Sequence, residues 1–315
     1  MGPDWSTPRN SQLDPLNLWS ASGYISAHVT FSGKTCAASG IRVAEVVDTY
    51  SSSPGKTVAS NGIFRESFAQ FIYFLRPSNE ESLKDYKNGH SWTEATCRTL
   101  LEGNFSDCHH HDFPAPDIDP CVRAVELLWM EEPDDESIAA YGEISEDKSF
   151  VQFHAITSSL MDQACFVKTR CGYVGRAPAD TRSGDVICIF LGCSSPILLR
   201  RTKHAIGDDP TWLVVGRCYV HGIMDGELIY QHPEPLRYRS CTHDFTKGSR
   251  IDIDGLVTTA SLYDTKTDTY INDPTVPLTT AGIKIESYES NPHKLVVLPE
   301  TLRAAGVAVE DFVLL

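Results

Sequence analysis

His221 stands in the run Tyr219-Val220-His221-Gly222-Ile223-Met224-Asp225-Gly226-Glu227, with one carboxylate four residues on and another six on. On a single helical turn His221 and Asp225 would share a face. A carboxylate bonded to one imidazole nitrogen fixes the tautomer and leaves the other nitrogen to move a proton. Cys218 and Cys193 are the thiols that such a base could activate. The set would make a hydrolase or nucleotide-processing enzyme, with His221 as base and Asp225 or Glu227 orienting it. The plainer reading is a hydrogen-bonded turn that locks the end of a sheet, with Gly222 and Gly226 supplying backbone angles other residues resist. Neither cysteine has the flanks of a known nucleophile. Gly184-Asp185-Val186-Ile187-Cys188 starts as in some cysteine peptidases, but their Cys–His order is missing. G-x-S-x-G, the P-loop, G-x-G-x-x-G and H-E-x-x-H are all absent. The sequence therefore assigns no catalytic residue and no cofactor. Tyr173, Arg200, Tyr219, His221, Asp225 and Glu227 are read instead as an internal polar network that a binding surface would reuse. Within it Arg200 would pair with Asp225 or Glu227. Tyr173 would be an anchor whose hydroxyl needs a partner.

A second cluster invites a metal reading. The segment Asp107-Cys108-His109-His110-His111-Asp112, with Cys121 further on, is rich in ligand types. Consecutive histidines cannot all face one ion, however, and no pair has the spacing of a structural zinc site. A solvated loop is expected, with no metal. The ten cysteines include no C-x-x-C pair, and several fall inside apolar runs where Cys is a small buried hydrophobe. A reduced, cytoplasmic protein fits this usage better than a disulfide scaffold. Asn104-Phe105-Ser106 is then a chance match to a glycosylation acceptor, and Met1-Gly2, followed by Pro3-Asp4, a poor myristoylation site.

Net charge of −15 argues against a nucleic-acid surface, which needs clustered Lys and Arg. The basic run Arg200-Arg201-Thr202-Lys203 reads as a solvated strand end. No apolar stretch approaches the ~20 residues of a membrane span. The start has no apolar core like a signal peptide's. With 315 residues and 41% hydrophobic content, a sizeable core is expected.

These groups need elements to hold them. The stretch from Cys165 to Glu227 supplies four β-like runs, CFVKTR, VICIFLG, ILLRR and WLVVGRCYV, separated by the turn Arg182-Ser183-Gly184-Asp185 and by a loop over Lys203–Pro210. Short links close antiparallel pairs and cannot make parallel crossovers. VICIFLG, apolar on both faces, should be central and covered on each side. The expected fold is α+β: a small antiparallel barrel or curled sheet over about 165–230, packed with amphipathic helices and further hairpins. Residues 1–17 form a polar lead-in, and 18–164 a mixed region. There YISAHVTF and IRVAEVVDT make a hairpin, with turns at Ser22-Gly23, Ser32-Gly33 and Ser39-Gly40. Helices are expected over Ile63–Leu75, with an aromatic face; over Ser91–Glu102, from a capping box to Gly103; over Cys121–Met130, with Asp119-Pro120 as its start; and over Ser149–Gln163. Glu131–Glu136 reads as an acidic surface loop. After Glu227 the chain reads as irregular to about Ser249. The β-like runs IDIDGLVTTASLY, IKIESY and KLVVL follow, then a short helix over Pro299–Gly306 and AVEDFVLL. Residues 231–315 would either complete the sheet or stand as a lobe.

One resemblance is carried by ordered elements. Thr169-x-x-Gly172-Tyr173-x-Gly175-x-x-Pro178, the turn Gly184-Asp185, an apolar strand ending in Gly192, Pro196-x-x-Leu199-Arg200 and Val215-Gly216-x-x-Tyr219-Val220-His221-Gly222-Ile223-Met224 occur in that order. This resembles the region that follows the HET domain in fungal heterokaryon incompatibility proteins. Trp19-Ser20-Ala21-Ser22-Gly23, the run Gly40, Val43, Val46, Asp48, and the set Tyr86, Gly89, Glu94, Ala95, Thr99, Leu100 extend the likeness over roughly Leu18–Glu227. The resemblance implies a role in non-self recognition and programmed cell death. The family's HET domain, its death effector, finds no counterpart before Trp19. A regulatory module that binds a protein partner is therefore expected.

Overall fold

A hairpin opens the fold. β1 (Val29–Ser32) and β2 (Thr35–Ser51) pair antiparallel about Gly33, whose φ of 60° suits the turn. The computed structural model describes residues 21–23, 25–51, 61–78, 81, 84–108, 114–160, 164–206, 209–230, 236–244, 256–264, 269–271, 275–290 and 293–315. Helices α1 (Asn61–Leu75), α2 (Trp92–Leu100), α3 (Ile118–Leu128), α4 (Asp135–Ile144) and α5 (Lys148–Leu160) come next. Then follow β3 (Ala164–Thr169), β4 (Val174–Pro178), β5 (Val186–Phe190), β6 (Ile197–Ile206), β7 (Asp209–Arg217), β8 (Tyr219–Val220) and α6 (Glu227–Tyr230). The remainder is β9 (Leu236–Asp244), β10 (Leu256–Asp264), β11 (Thr269–Ile271), α7 (Thr275–Thr280), β12 (Ser287–Ser290), β13 (His293–Val296), α8 (Pro299–Ala304) and β14 (Val309–Leu314).

The protein is mixed α+β, built on a nine-stranded, mostly antiparallel sheet whose hydrogen bonding runs round a ring. β2 pairs with β5, β5 with β6 and β6 with β7. The chain then steps through Cys218 into β8, which pairs with β4; β4 pairs with β3, and β3 returns to β2. β14 lies between the start of β2, antiparallel, and β7, parallel, so the closure is not that of a clean barrel. Register shifts in β2 at Val46/Asp48 and Arg42/Ala44 bend that strand as a ring requires. The other sheets are β9–β11 and β12–β13.

Alternation along the strands divides the core. Inside the ring lie Val46, Cys165, Val167, Ala177, Ile187, Ile189, Leu198 and Val220. On the outer side of β5, Cys188 and Phe190 meet Leu199, Trp212 and Phe312 of β14. Every residue of β5 is buried, as an apolar run with no alternation requires of a doubly covered strand. The helices form a layer of their own. Phe68, Phe71, Phe105, Phe150 and Phe153 pack on Phe166 and Val174 of the sheet. Each such side chain, fully buried, contributes about 1.5–3 kcal/mol. Ile25, Leu278, Leu295, Val297, Leu302 and Val309 gather the C-terminal elements.

Helix ends follow local chemistry. Ser91 Oγ accepts from Glu94 N and starts α2. At its other end Gly103 N donates to Arg98 O, with Glu102 and Gly103 at φ 51° and 76°. The left-handed stop therefore begins on a glutamate, one residue before the expected glycine. Glu102 then bonds Arg176 of β4 at 3.1 Å, tying helix to sheet.

Other expectations need correction. Ser39-Gly40 is no turn: β2 runs through it, and Gly40 lies so close to β5 that a Cβ would sit 2.7 Å from Ile189 O. α3 is capped by Asp117 rather than Asp119. The acidic run Glu131–Glu136 starts α4, where Asp134 accepts from Ser137 N. Most of the loop expected over Lys203–Pro210 is strand, because Thr202, His204 and Thr211 bond one another across a bulge between β6 and β7. WLVVGRCYV is two strands with different partners, and Tyr173–Pro178 adds an unforeseen one, β4. The stretch read as irregular after Glu227 contains α6 and β9. Residues 231–315 divide between the two arrangements the sequence left open: β14 completes the main sheet and β9–β11 stand in a sheet of their own.

Candidate functional site

β8 ends in a tight turn. Ile223 N donates to Val220 O, and Val220 N to the Met224 sulfur, while Ile223 and Met224 are buried. Gly222 and Gly226 take φ of 86° and 80°, as the plainer reading of the sequence required. Gly226 also makes room, since a Cβ there would meet the Tyr230 ring at 2.6 Å. Glu227 Oε2 accepts from Asp225 N and starts α6.

This turn presses His221 inward, leaving it 5% exposed. Its Nδ1 lies 3.1 Å from the Tyr219 hydroxyl. Its Nε2 lies 2.9 Å from Nδ1 of His90 and 3.0 Å from the amide nitrogen of Asn88. Its backbone takes part as well. Tyr86 Oη donates to His221 O at 3.0 Å and accepts from Val174 N at 3.0 Å, so one phenol joins the 86–94 segment to β4 and to the turn. The rings of Tyr86, His90 and Tyr219 all lie within 28° of parallel to that of His221. Burial pushes both the Tyr86 and Tyr219 hydroxyls well above the usual phenol range, so both stay neutral.

The polar chain continues outward. His90 Nδ1 lies 3.3 Å from Glu94 Oε1. Arg98, buried on α2, donates to that carboxylate at 2.9 Å and to Asp107 at 2.6 Å, with Cys108 Sγ at 3.5 Å. The anionic neighbours outweigh the burial of Arg98 and hold its guanidinium charged.

Of the residues singled out in the sequence, the structure joins Tyr219 and His221 directly. Asp225 and Glu227 flank them, half-buried, on the same turn. The carboxylate that reaches His221 through His90 is Glu94, from a different element. Arg200 belongs elsewhere: it pairs with Asp185 at 2.7 Å and donates to Asp180 O, not with Asp225 or Glu227. The G-D turn supplies its partner. Tyr173 packs 6.4 Å from Tyr86, under the Lys87 ammonium. The Cys218 thiol is buried, donates to Pro196 O, and is pushed far up by that burial. A thiol held protonated is a poor nucleophile. Cys193 sits in the turn after β5. Cys121 donates to Asp117 O, and burial raises its thiol to about 12. His109, His110, His111 and Asp112 lie outside the described residues. Among those described, no group of three His, Cys, Asp or Glu could hold a metal ion. All nine cysteines with described side chains are free thiols, and no helix is long and apolar enough to cross a membrane.

Asn88 and His90 were missed. They stand more than 130 residues from His221, and only the fold unites them. Tyr86 and Glu94 carried part of the family likeness, with no sign there that they face this turn.

Residues 130–234 match the family model of the Het-6 beta-barrel domain. The chain carries that domain, which belongs to fungal heterokaryon incompatibility proteins. The match runs from just before α4 through α6 and includes the His221 turn. Two strands of the ring, β2 and β14, lie outside it. No curated protein and no solved structure matches the chain.

Proposed function

We propose that this chain is a non-catalytic interaction module in heterokaryon incompatibility, taking part in non-self recognition and programmed cell death by binding a protein partner in the cytoplasm. One observation carries the reading. The imidazole of the turn after β8 faces inward, with both nitrogens of His221 held by Tyr219, Asn88 and His90. Such bonding makes a rigid turn, and rigid turns at the end of a sheet present their rims to partners. Asp225 and Glu227 form that rim. The net charge of −15 favours a protein partner over nucleic acid.

The test compares wild type with Asp225→Lys. Affinity capture from the fungus, followed by titration of the identified partner, should show at least a tenfold loss for the variant with its circular dichroism unchanged. The competing reading is a hydrolase or nucleotide-processing enzyme that uses His221 with Asp225 or Glu227. It would prevail if wild type turned over an ester, peptide or nucleotide substrate and His221→Gln did not.

A further inference from the structure

His90 and His221 meet nitrogen to nitrogen at 2.9 Å, edge to edge, with ring centroids 5.1 Å apart and planes 28° from parallel. One nitrogen of such a pair must carry a hydrogen and the other must not. The surroundings assign them. A hydrogen on His90 Nδ1 serves both His221 Nε2 and the Glu94 carboxylate 3.3 Å away. The Asn88 amide nitrogen lies 3.0 Å from His221 Nε2 and 3.3 Å from His90 Nδ1; with the hydrogen on Nδ1 beside Glu94, His221 Nε2 is the acceptor of both, and the hydrogen of His221 lies on Nδ1, toward Tyr219 Oη.

We propose that this pair is a proton-sensitive clasp, which holds the 86–94 segment on the end of the barrel and opens when both imidazoles become protonated. The first added proton enters at Nε2 of His90, making a cation beside Glu94, and leaves the contact intact. The second must enter at Nε2 of His221. There it turns an acceptor into a donor, against the His90 and Asn88 N–H groups, and places two positive rings side by side. Charged groups on every side bear on the balance. Glu94 favours the first proton, and Arg98, bonded to the same carboxylate, opposes it. Asp225 acts on Tyr219 and Glu227 on Tyr86 through space, and both carboxylates favour positive charge here; so do Asp107 and, when ionised, Cys108 beyond Arg98. None of them lets two hydrogens occupy one N···N contact. The clasp therefore takes up its protons in two separated steps.

In the unfolded chain both imidazoles protonate near pH 6.5. Below that pH the open state binds one proton more than the clasp, so the opening constant rises up to about tenfold per pH unit. Below pH 6.5 the sign is fixed: acid opens the clasp.

The experiment uses the full chain with ¹³C-labelled histidine. Ring resonances of His90 and His221, assigned with the two His→Gln variants, are followed from pH 8 to 5. Amide exchange over 84–94 and 219–223 is measured at pH 6 and 5, corrected for the intrinsic rate. The expected result is two separated protonation steps, with exchange in both segments about tenfold faster in acid. In His221→Gln, whose amide oxygen can still accept from His90 but takes no proton, that acceleration should vanish. Protonation of both rings in one step, with the segments still protected, would overturn the proposal. So would equal acid acceleration in His221→Gln. If the variants fail to fold, the wild-type titration and exchange decide alone.

Discussion

Tyr86→Phe removes one oxygen and nothing else, which makes it the sharpest probe of how the helical layer holds the end of the barrel. That oxygen accepts from Val174 N and donates to His221 O, both at 3.0 Å, and Tyr86 is 2% exposed. Phenylalanine would keep the edge contact with Trp92, at 5.0 Å between centroids, and the stacking on His221. The loss is thus confined to two hydrogen bonds, and it takes the hydroxyl away from a buried backbone donor, Val174 N, and from a buried acceptor, His221 O. Each such loss costs about 1–3 kcal/mol. Some relaxation of the turn is expected, so the variant should lose about 2–4 kcal/mol. Urea denaturation at neutral pH measures this, with the slope unchanged if both states keep their compactness. Tyr173→Phe is the matched control. Its ring lies beside that of Tyr86, and its hydroxyl makes no hydrogen bond among the described residues, so its change should stay within about 0.5 kcal/mol. A Tyr86→Phe loss no larger than the control's would refute the claim that this phenol bridges the two layers.

Arg200→Met should cost about 2–3 kcal/mol by urea denaturation, since it strands the Asp185 carboxylate, 3% exposed, while the partly exposed arginine site lets some water in. Loss of less than 1 kcal/mol would mean that the turn at Arg182–Asp185 holds without it. In native protein iodoacetamide should label exposed Cys171 freely. Cys97, Cys121, Cys188 and Cys218, whose thiols burial holds protonated, should react only as the chain unfolds. Mass spectrometry of peptides labelled with and without urea reads both classes, and rapid native labelling of Cys218 would restore it as a candidate nucleophile. A fragment of residues 130–234 should lack the near-ultraviolet circular dichroism of a packed core, because β3 and β5 lose β2, their common neighbour. A cooperative, native-like fragment would show that the ring closes without β2.

What was legible in the sequence was local. The aromatic face of α1 repeats at helical spacing, and Phe68, Phe71, Ile72 and Leu75 are buried as that spacing requires. Ser91 with Glu94 marked the start of α2, and the unbroken apolar run of β5 marked a strand covered on both sides. Gly222 and Gly226 marked a turn of unusual backbone angles. Misreadings came where one local signal stood for two structures. Ser39-Gly40 is a turn signal in composition, yet here glycine serves close packing against β5. Gly207-Asp208-Asp209-Pro210 suggested a wide loop, whereas the threonine bonds around Thr202 and Thr211 carry the hairpin almost to its tip.

The ring itself was hidden for a different reason: its closure is a pairing across long separations. β3 and β5 lie close in sequence, with only β4 between them, yet do not pair, because β2, more than 100 residues earlier, inserts between them. Nothing in β2 announces this beyond its length of 17 residues, three times an ordinary strand. That length is the physical clue, since one strand must pair with β1 and β14 near its start, β5 in its middle and β3 at its end. The same logic governs the candidate site. His221 looked like a base because its sequence neighbours are carboxylates, but its true neighbours arrive from the 86–94 segment. The side chains that decide its chemistry are set by how the helices dock on the ring. A function read from the turn alone would therefore have left out the side chains that bond both nitrogens of its histidine.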